Sequence, residues 1–138
     1  MEIKVTCSEI IKPSKPTSPE NKTHNLSIFD VFQRNFYFPV ILFYPTFTNP
    51  NNNLTHSLSE ALNIFYPLAG RRNDLVSVSC NDEGALYNEA TVNTTISDFL
   101  NPPNLESLNK LLPCEPHHKI IHSPPKEEES KSLPHLMI

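Results

Sequence analysis

Three groups of residues have the types that carry chemistry. Cys114, His117, His118 and His122 form a C-x-x-H-H-x-x-x-H cluster, with the sulfur and imidazole donors that hold zinc. The spacing matches no common structural zinc pattern, and prolines flank the cluster, so a polar, histidine-rich loop is the better expectation and no metal is assigned. His56-Ser57-Leu58-Ser59-Glu60 puts hydroxyls beside an imidazole, as a nucleophile and its base would require. No third group is evident to orient the imidazole, and the string fits a solvated helix face. Arg71-Arg72 offers two cations for an anion. Adjacent strand residues point to opposite faces, so a local salt bridge is expected there instead.

The elements that would position these groups follow from periodicity. Leu54, Leu58, Ala61, Leu62 and Phe65 recur at steps of three and four and predict an amphipathic helix. Ser57 and Glu60 fit a capping box near its start, and Pro67 ends it. Gly70, one of only two glycines, is expected at a positive φ, handing the chain to a strand near Leu75. Ile3, Val5 and Cys7 alternate with polar residues as a half-buried strand, and residues 10–23 read as a proline-shaped connection. Ser27 and Asp30 can cap a short helix. Residues 36–44 are almost wholly apolar and suit a strand covered on both faces, with an edge or bulge at Pro39. Val76, Val78 and Cys80, the turn Asn81-Asp82-Glu83-Gly84 and residues 85–92 predict a hairpin. Asn104 caps a last helix over 105–112, ended by Pro113. Residues 114–132 read as a loop, and 133–138 as the opening of another strand that stops unfinished.

Bulk composition narrows the function classes. The 138 residues suffice for a domain with a core of its own. The 14 prolines, roughly twice the usual share of about 5%, favour long, proline-shaped connections. A net charge of −4 with no basic stripe argues against nucleic acid. The longest apolar run, of about twelve residues, is too short to span a bilayer, so no membrane partner is expected. Three widely spaced cysteines imply no disulfide framework, and no apolar segment of a secretory signal follows Met1. The sequons at Asn21, Asn25, Asn53 and Asn93 are then expected to go unused, in a reducing, cytoplasmic setting.

Several strings in one order carry a family resemblance. Phe65-Tyr66-Pro67-Leu68-Ala69-Gly70-Arg71, after Leu58-Ser59 and Leu62, resembles the F-Y-P-L-A-G-R signature of the plant BAHD acyl-CoA-dependent acyltransferases. Pro13-Ser14 to Pro16-Thr17, then Leu26-Ser27 and Asp30, resemble that family's P-S-x-P-T and L-S-x-x-D segments. Leu42-Phe43-Tyr44-Pro45 resembles its first core strand. Cys80-Asn81-Asp82-Glu83-Gly84 to Glu89-Ala90 resembles its C-N-D-x-G-x-x-F-x-E-A hairpin, with Tyr87 in the aromatic place. The likeness is strongest to the alkaloid-acetylating branch of the family, that of vinorine synthase-like enzymes.

The resemblance implies an α/β chloramphenicol-acetyltransferase-like fold, here its incomplete N-terminal portion, with a mixed sheet and packed helices. It implies an O-acyltransferase that uses acyl-CoA, most simply acetyl-CoA, as co-substrate and a small-molecule alcohol or amine as acceptor. The family's H-x-x-x-D base and its structural D-F-G-W-G motif are absent from residues 1–138, so no catalytic residue is assigned and the chain alone is expected to be inactive. Counted back from Phe43-Tyr44-Pro45, the acceptor-channel lining would be Phe36, Pro39 and Ile41, all apolar, which suits a bulky alkaloid or terpenoid alcohol. Residues 65–71 with Cys80, Asn81, Asp82 and Gly84 would be structural. Two other expectations stand beside this one: a non-catalytic module that pairs with a full-length relative, or with itself, through open sheet edges, and a small metal protein built on the Cys114 cluster.

Overall fold

The computed structural model describes residues 1–32, 38–44, 53–72 and 74–113. Two antiparallel sheets organise them. Strand β1 (Ile3–Ile11) pairs with β5 (Ala85–Val92), from Ile3 opposite Val92 to Ile11 opposite Ala85. A bulge falls between Val5 and Cys7, where the Thr6 hydroxyl donates to the Glu89 carbonyl at 3.2 Å. The second sheet has the order β2-β4-β3, with β2 Thr23–Asn25, β3 Arg71–Arg72 and β4 Ser77–Ser79. The strands on either side of the Asn81–Gly84 turn are therefore not a hairpin. The turn sends the chain from one sheet to the other, because β4 is already paired on both sides, by β2 and β3.

Helix α1 (Ile28–Phe32) opens on the expected capping box, in which Asp30 Oδ2 accepts from the Ser27 amide at 3.0 Å and the Ser27 hydroxyl at 2.6 Å. Helix α2 (Asn53–Ile64) begins a turn before Ser57, so Ser57 and Glu60 lie inside it and do not cap it. Its apolar stripe turns inward only at its middle. Leu62 is buried and Leu58 packs beside it, whereas Leu54 and Phe65 are exposed. Pro67 then opens a 3-10 turn over Tyr66–Ala69, where the Leu68 and Gly70 amides donate to the carbonyls of Phe65 and Pro67. Two short helices follow β5: α3 (Ile96–Leu100) and α4 (Leu105–Asn109), the latter shorter than expected but capped, as expected, by the Asn104 side chain.

The core sits where β1, β5 and α2 meet: Ile11, Leu62, Ala69, Ala85 and Tyr87. Three expectations change here. Gly70 has φ −89° and is extended, so its need for glycine is spatial. A Cβ would overlap the Ser79 carbonyl oxygen and press on Val78 Cγ1 at 3.0 Å. Most of β1 is exposed on both faces, Val5 and Cys7 included, so its alternation does not make it half-buried. Residues 38–44 are not in a strand, since no ladder among the described residues pairs with them; Val40, Leu42 and Tyr44 are exposed, and only Ile41 and Phe43 are half-buried. Phe43 leans on Phe99 of α3, ring centroids 6.5 Å apart.

Candidate functional site

The best-organised polar group lies where the 3-10 turn, β3 and the 81–84 turn converge. Arg71 is buried, an unusual place for a guanidinium, and its Nη1 donates to the carbonyls of Gly70 at 2.8 Å and Gly84 at 2.9 Å. Glu83 Oε2 lies 3.0 Å from Nε as an ion pair, but off the N–H axis, so the Nε–H makes no hydrogen bond. Glu83 is held in turn by the Asn81 side-chain amide, at 2.6 Å from Oε1. The Gly84 amide donates to the Ala69 carbonyl at 2.9 Å, so the backbone and Arg71 both tie the two turns together. Gly84 has φ +95°, and a Cβ there would collide with the Ile11 carbonyl, so this is the glycine that needs the left-handed region.

Asp82 fastens the opposite side of the same turn. Its own φ of 59° is unusual for a side-chain-bearing residue. The geometry aims its carboxylate at residues 12–22, an N-terminal strap, where it accepts from the Thr17 amide at 3.0 Å, the Thr17 hydroxyl at 2.5 Å and Lys22 Nζ at 3.1 Å. Partial burial opposes its ionisation, yet the Thr17 and Lys22 bonds outweigh burial and hold its pKa below the ordinary value. Cys80, buried next to it, donates its amide to the Lys22 carbonyl at 2.8 Å, and burial pushes its thiol upward. A second clasp holds the strap to α2. The Ser59 hydroxyl donates to the Lys12 carbonyl at 2.8 Å, the Lys15 amide to Asn63 Oδ1 at 3.0 Å, and Asn63 Nδ2 to the Ser14 hydroxyl at 2.6 Å.

The groups singled out for chemistry are dispersed. His56 and Ser57 are exposed on α2, and Ser59 is spent on the strap. Glu60 is held below its ordinary pKa, chiefly by a hydrogen bond with Ser14. Arg72 bends back on its own loop, donating to the carbonyls of Asp74 at 3.0 Å and Leu75 at 2.6 Å, while Arg71 takes the local ion pair. His24 meets Tyr66 edge-on, ring centroids 6.3 Å apart. Among the described residues, no three His, Cys, Asp or Glu side chains could share a metal ion. Cys114, His117, His118 and His122 lie outside the described residues, as does Phe36. Pro39 is exposed and Ile41 half-buried. The Thr17 and Asn63 clasps had no local signal in the sequence, because each joins residues far apart along the chain. What residues 65–71 and 80–84 build together is a hydrogen-bonded junction that exposes no nucleophile.

Comparison with known proteins fixes what the junction belongs to. The chain is 45% identical over 122 residues to limonoid 21-O-acetyltransferase of Melia azedarach, an alignment covering 85% of this chain and 29% of that protein. It is 39% identical to stemmadenine O-acetyltransferase of Catharanthus roseus, again over 84% of this chain and 29% of the relative. Its fold superposes on the crystal structure of vinorine synthase with a TM-score of 0.76 at 34% identity, over 96% of this chain and 33% of that one. The chain thus spans about a third or less of the length of these relatives. This likeness carries the chloramphenicol-acetyltransferase-like α/β fold that the sequence strings implied. The Transferase family model matches residues 1–125, and the chain belongs to that family, the BAHD acyltransferases.

Proposed function

We propose that this chain is the N-terminal part of a plant O-acetyltransferase whose complete form moves an acetyl group from acetyl-CoA to a hydroxyl of a terpenoid or alkaloid. The observation that carries the reading is the 45% identity to a limonoid acetyltransferase over 85% of this chain. In such a transfer the acceptor oxygen attacks the thioester carbonyl, a base takes its proton and the CoA thiolate leaves. The family's base is the imidazole of H-x-x-x-D, a motif that residues 1–138 do not contain. A 138-residue polypeptide of this sequence therefore supplies scaffold and no base. It forms one partial domain, and its free Cys7 and Cys80 suit a reducing cytoplasm; the loop expected over residues 114–132 and the strand expected over 133–138 lie outside the described residues.

Phe36, Pro39 and Ile41 are all apolar in the sequence, and an acceptor channel lined by them would favour a bulky acceptor with few hydroxyls over a polar phenolic. The test has two arms. The purified 138-residue chain, given acetyl-CoA and a panel of limonoid and alkaloid alcohols, is expected to release no CoA thiol. The same residues exchanged into the Melia enzyme in place of their counterpart are expected to give a folded chimera that acetylates. Turnover by the short chain sinks its inactivity; a folded but dead chimera sinks the acetyltransferase reading. A second reading, association through an open sheet edge with itself or a full-length relative, is favoured by β1, which is paired on one side only among the described residues.

A further inference from the structure

Along residues 40–44 exposure alternates. Val40, Leu42 and Tyr44 are exposed, while Ile41 and Phe43 are half-buried. A period of two is that of an extended chain, so Ile41 and Phe43 turn to the same side. What Phe43 meets there is Phe99, with ring centroids 6.5 Å apart and planes inclined by 38°. Phe99 is 6% exposed and is the buried residue of α3.

The helix that carries Phe99 is fastened at both ends. Asp98 Oδ2 accepts from the Thr95 amide, the Thr95 hydroxyl and the Thr94 hydroxyl, each at 2.8 Å. At the other end the Asn101 amide donates to the Ser97 carbonyl at 3.0 Å. Just upstream, Asn93 Oδ1 accepts from the Glu2 amide at 2.8 Å, which ties the approach to α3 to the start of the chain. Phe99 is therefore a fixed floor under Phe43. Close packing makes the depth at which residues 41–43 sit depend on the volume of that supporting ring. We propose that Phe99 is a positioning residue for the acceptor side: its contact with Phe43 sets the reach of Ile41, and with it the size of acceptor that the complete enzyme takes. The inference rests on the acetyltransferase reading and on Ile41 as a lining position, and it adds a residue of α3 that neither assigns. A smaller side chain at position 99 lets Phe43 settle towards α3 and draws Ile41 back, which widens the channel.

The test uses the chimera in which these residues replace their counterpart in the Melia enzyme, with two limonoid alcohols that differ in one alkyl substituent. Phe99→Leu is expected to raise the kcat/KM preference for the larger alcohol roughly fivefold, somewhat less than a whole methylene contact is worth. The KM for acetyl-CoA should not change. Phe43→Leu is expected to act likewise, and the double variant to add little, because both remove one contact. Phe99→Met, which refills the space with a flexible side chain, should restore most of the parental preference. Leu62→Ala, in the separate core of β1, β5 and α2, is expected to lower stability and leave the preference alone. In the 138-residue chain itself, Phe99→Leu is expected to move the methyl resonances of Ile41 and not those of Leu62. A parental preference in both leucine variants, an acetyl-CoA KM that moves with the preference, an equal shift in Leu62→Ala, or unmoved Ile41 methyls would each overturn the proposal. An active chimera whose leucine variants keep its preference removes the positioning role alone; a folded but dead chimera removes the acetyltransferase reading and the role with it.

Discussion

A buried guanidinium is costly to desolvate, and Arg71 offsets that cost through its two carbonyl acceptors and its ion pair with Glu83. Its guanidinium reaches the carbonyl of the adjacent Gly70 and, on the 81–84 turn, the Gly84 carbonyl and the Glu83 carboxylate, a geometry that a lysine's point charge cannot reproduce. Arg71→Met is expected to cost about 2–3 kcal/mol, since the Gly84 carbonyl is left buried without that donor. Arg71→Lys should recover little of it, which the urea midpoints of the three proteins would reveal. Asp82 gives a pH signature. Its folded pKa lies below the ordinary value, so its stabilisation is present above about pH 4 and fades as pH falls through the folded pKa. The parent is therefore expected to lose more stability than Asp82→Asn between pH 7 and pH 3. Parallel pH profiles for the two would remove the strap clamp as a source of stability. Gly70 and Gly84 are both intolerant of a side chain for different reasons, and Gly84→Ala adds a strained φ to its collision, a cost of about 1–3 kcal/mol.

At the scale of elements, the N-terminal strap explains how a chain with two glycines holds its loops still. Prolines shape residues 12–22, and side chains from α2 and the 81–84 turn accept or donate to its backbone. Asn63→Ala is expected to cost about 1 kcal/mol and to speed amide exchange at Lys15 while leaving Leu62 protected. Uniform exchange across both sites would mean that the strap is not a separate unit. What was legible in the sequence divides along the same line. Caps and stops are local, so Ser27 with Asp30, Pro67 and Asn104 could be read directly. Thr95 and Asp98 carry the same signature in T-I-S-D, with the Thr95 amide 2.8 Å from Asp98 Oδ2, so α3 was legible there too. Strand pairing was not, because alternation reveals a strand without naming its partner. β5 reaches back across some eighty residues to β1, and the nearer candidate, β4, is already taken. Gly70 shows the same limit: the sequence marks that a glycine is needed, and only the approach of Ser79 shows why.

At the scale of the whole molecule, the balance of burial sets the expected behaviour. Among the described residues, the core that joins β1, β5 and α2 has five buried members, while Ile28, Phe29, Phe32, Val40, Leu42, Tyr44, Ile64 and Phe65 face water. Hydrophobic burial must offset roughly 1–2 kcal/mol of backbone entropy per ordered residue, and so small a core leaves a thin margin. The β1–β5 ribbon adds little at its outer end, where Val5 on one strand and Ala90 and Thr91 on the other are exposed. The isolated chain is therefore expected to bind anilinonaphthalene sulfonate at neutral pH. Its urea transition should be broad, with an m value near the low end of the 1–3 kcal/mol/M range typical of small proteins, roughly 1 kcal/mol/M. Amide protection should concentrate around Ile11, Leu62, Ala85 and Tyr87. Were the chain instead to unfold in one sharp transition with a slope typical of its length, and to leave the dye dark, the exposed apolar faces would be ones that it can tolerate alone.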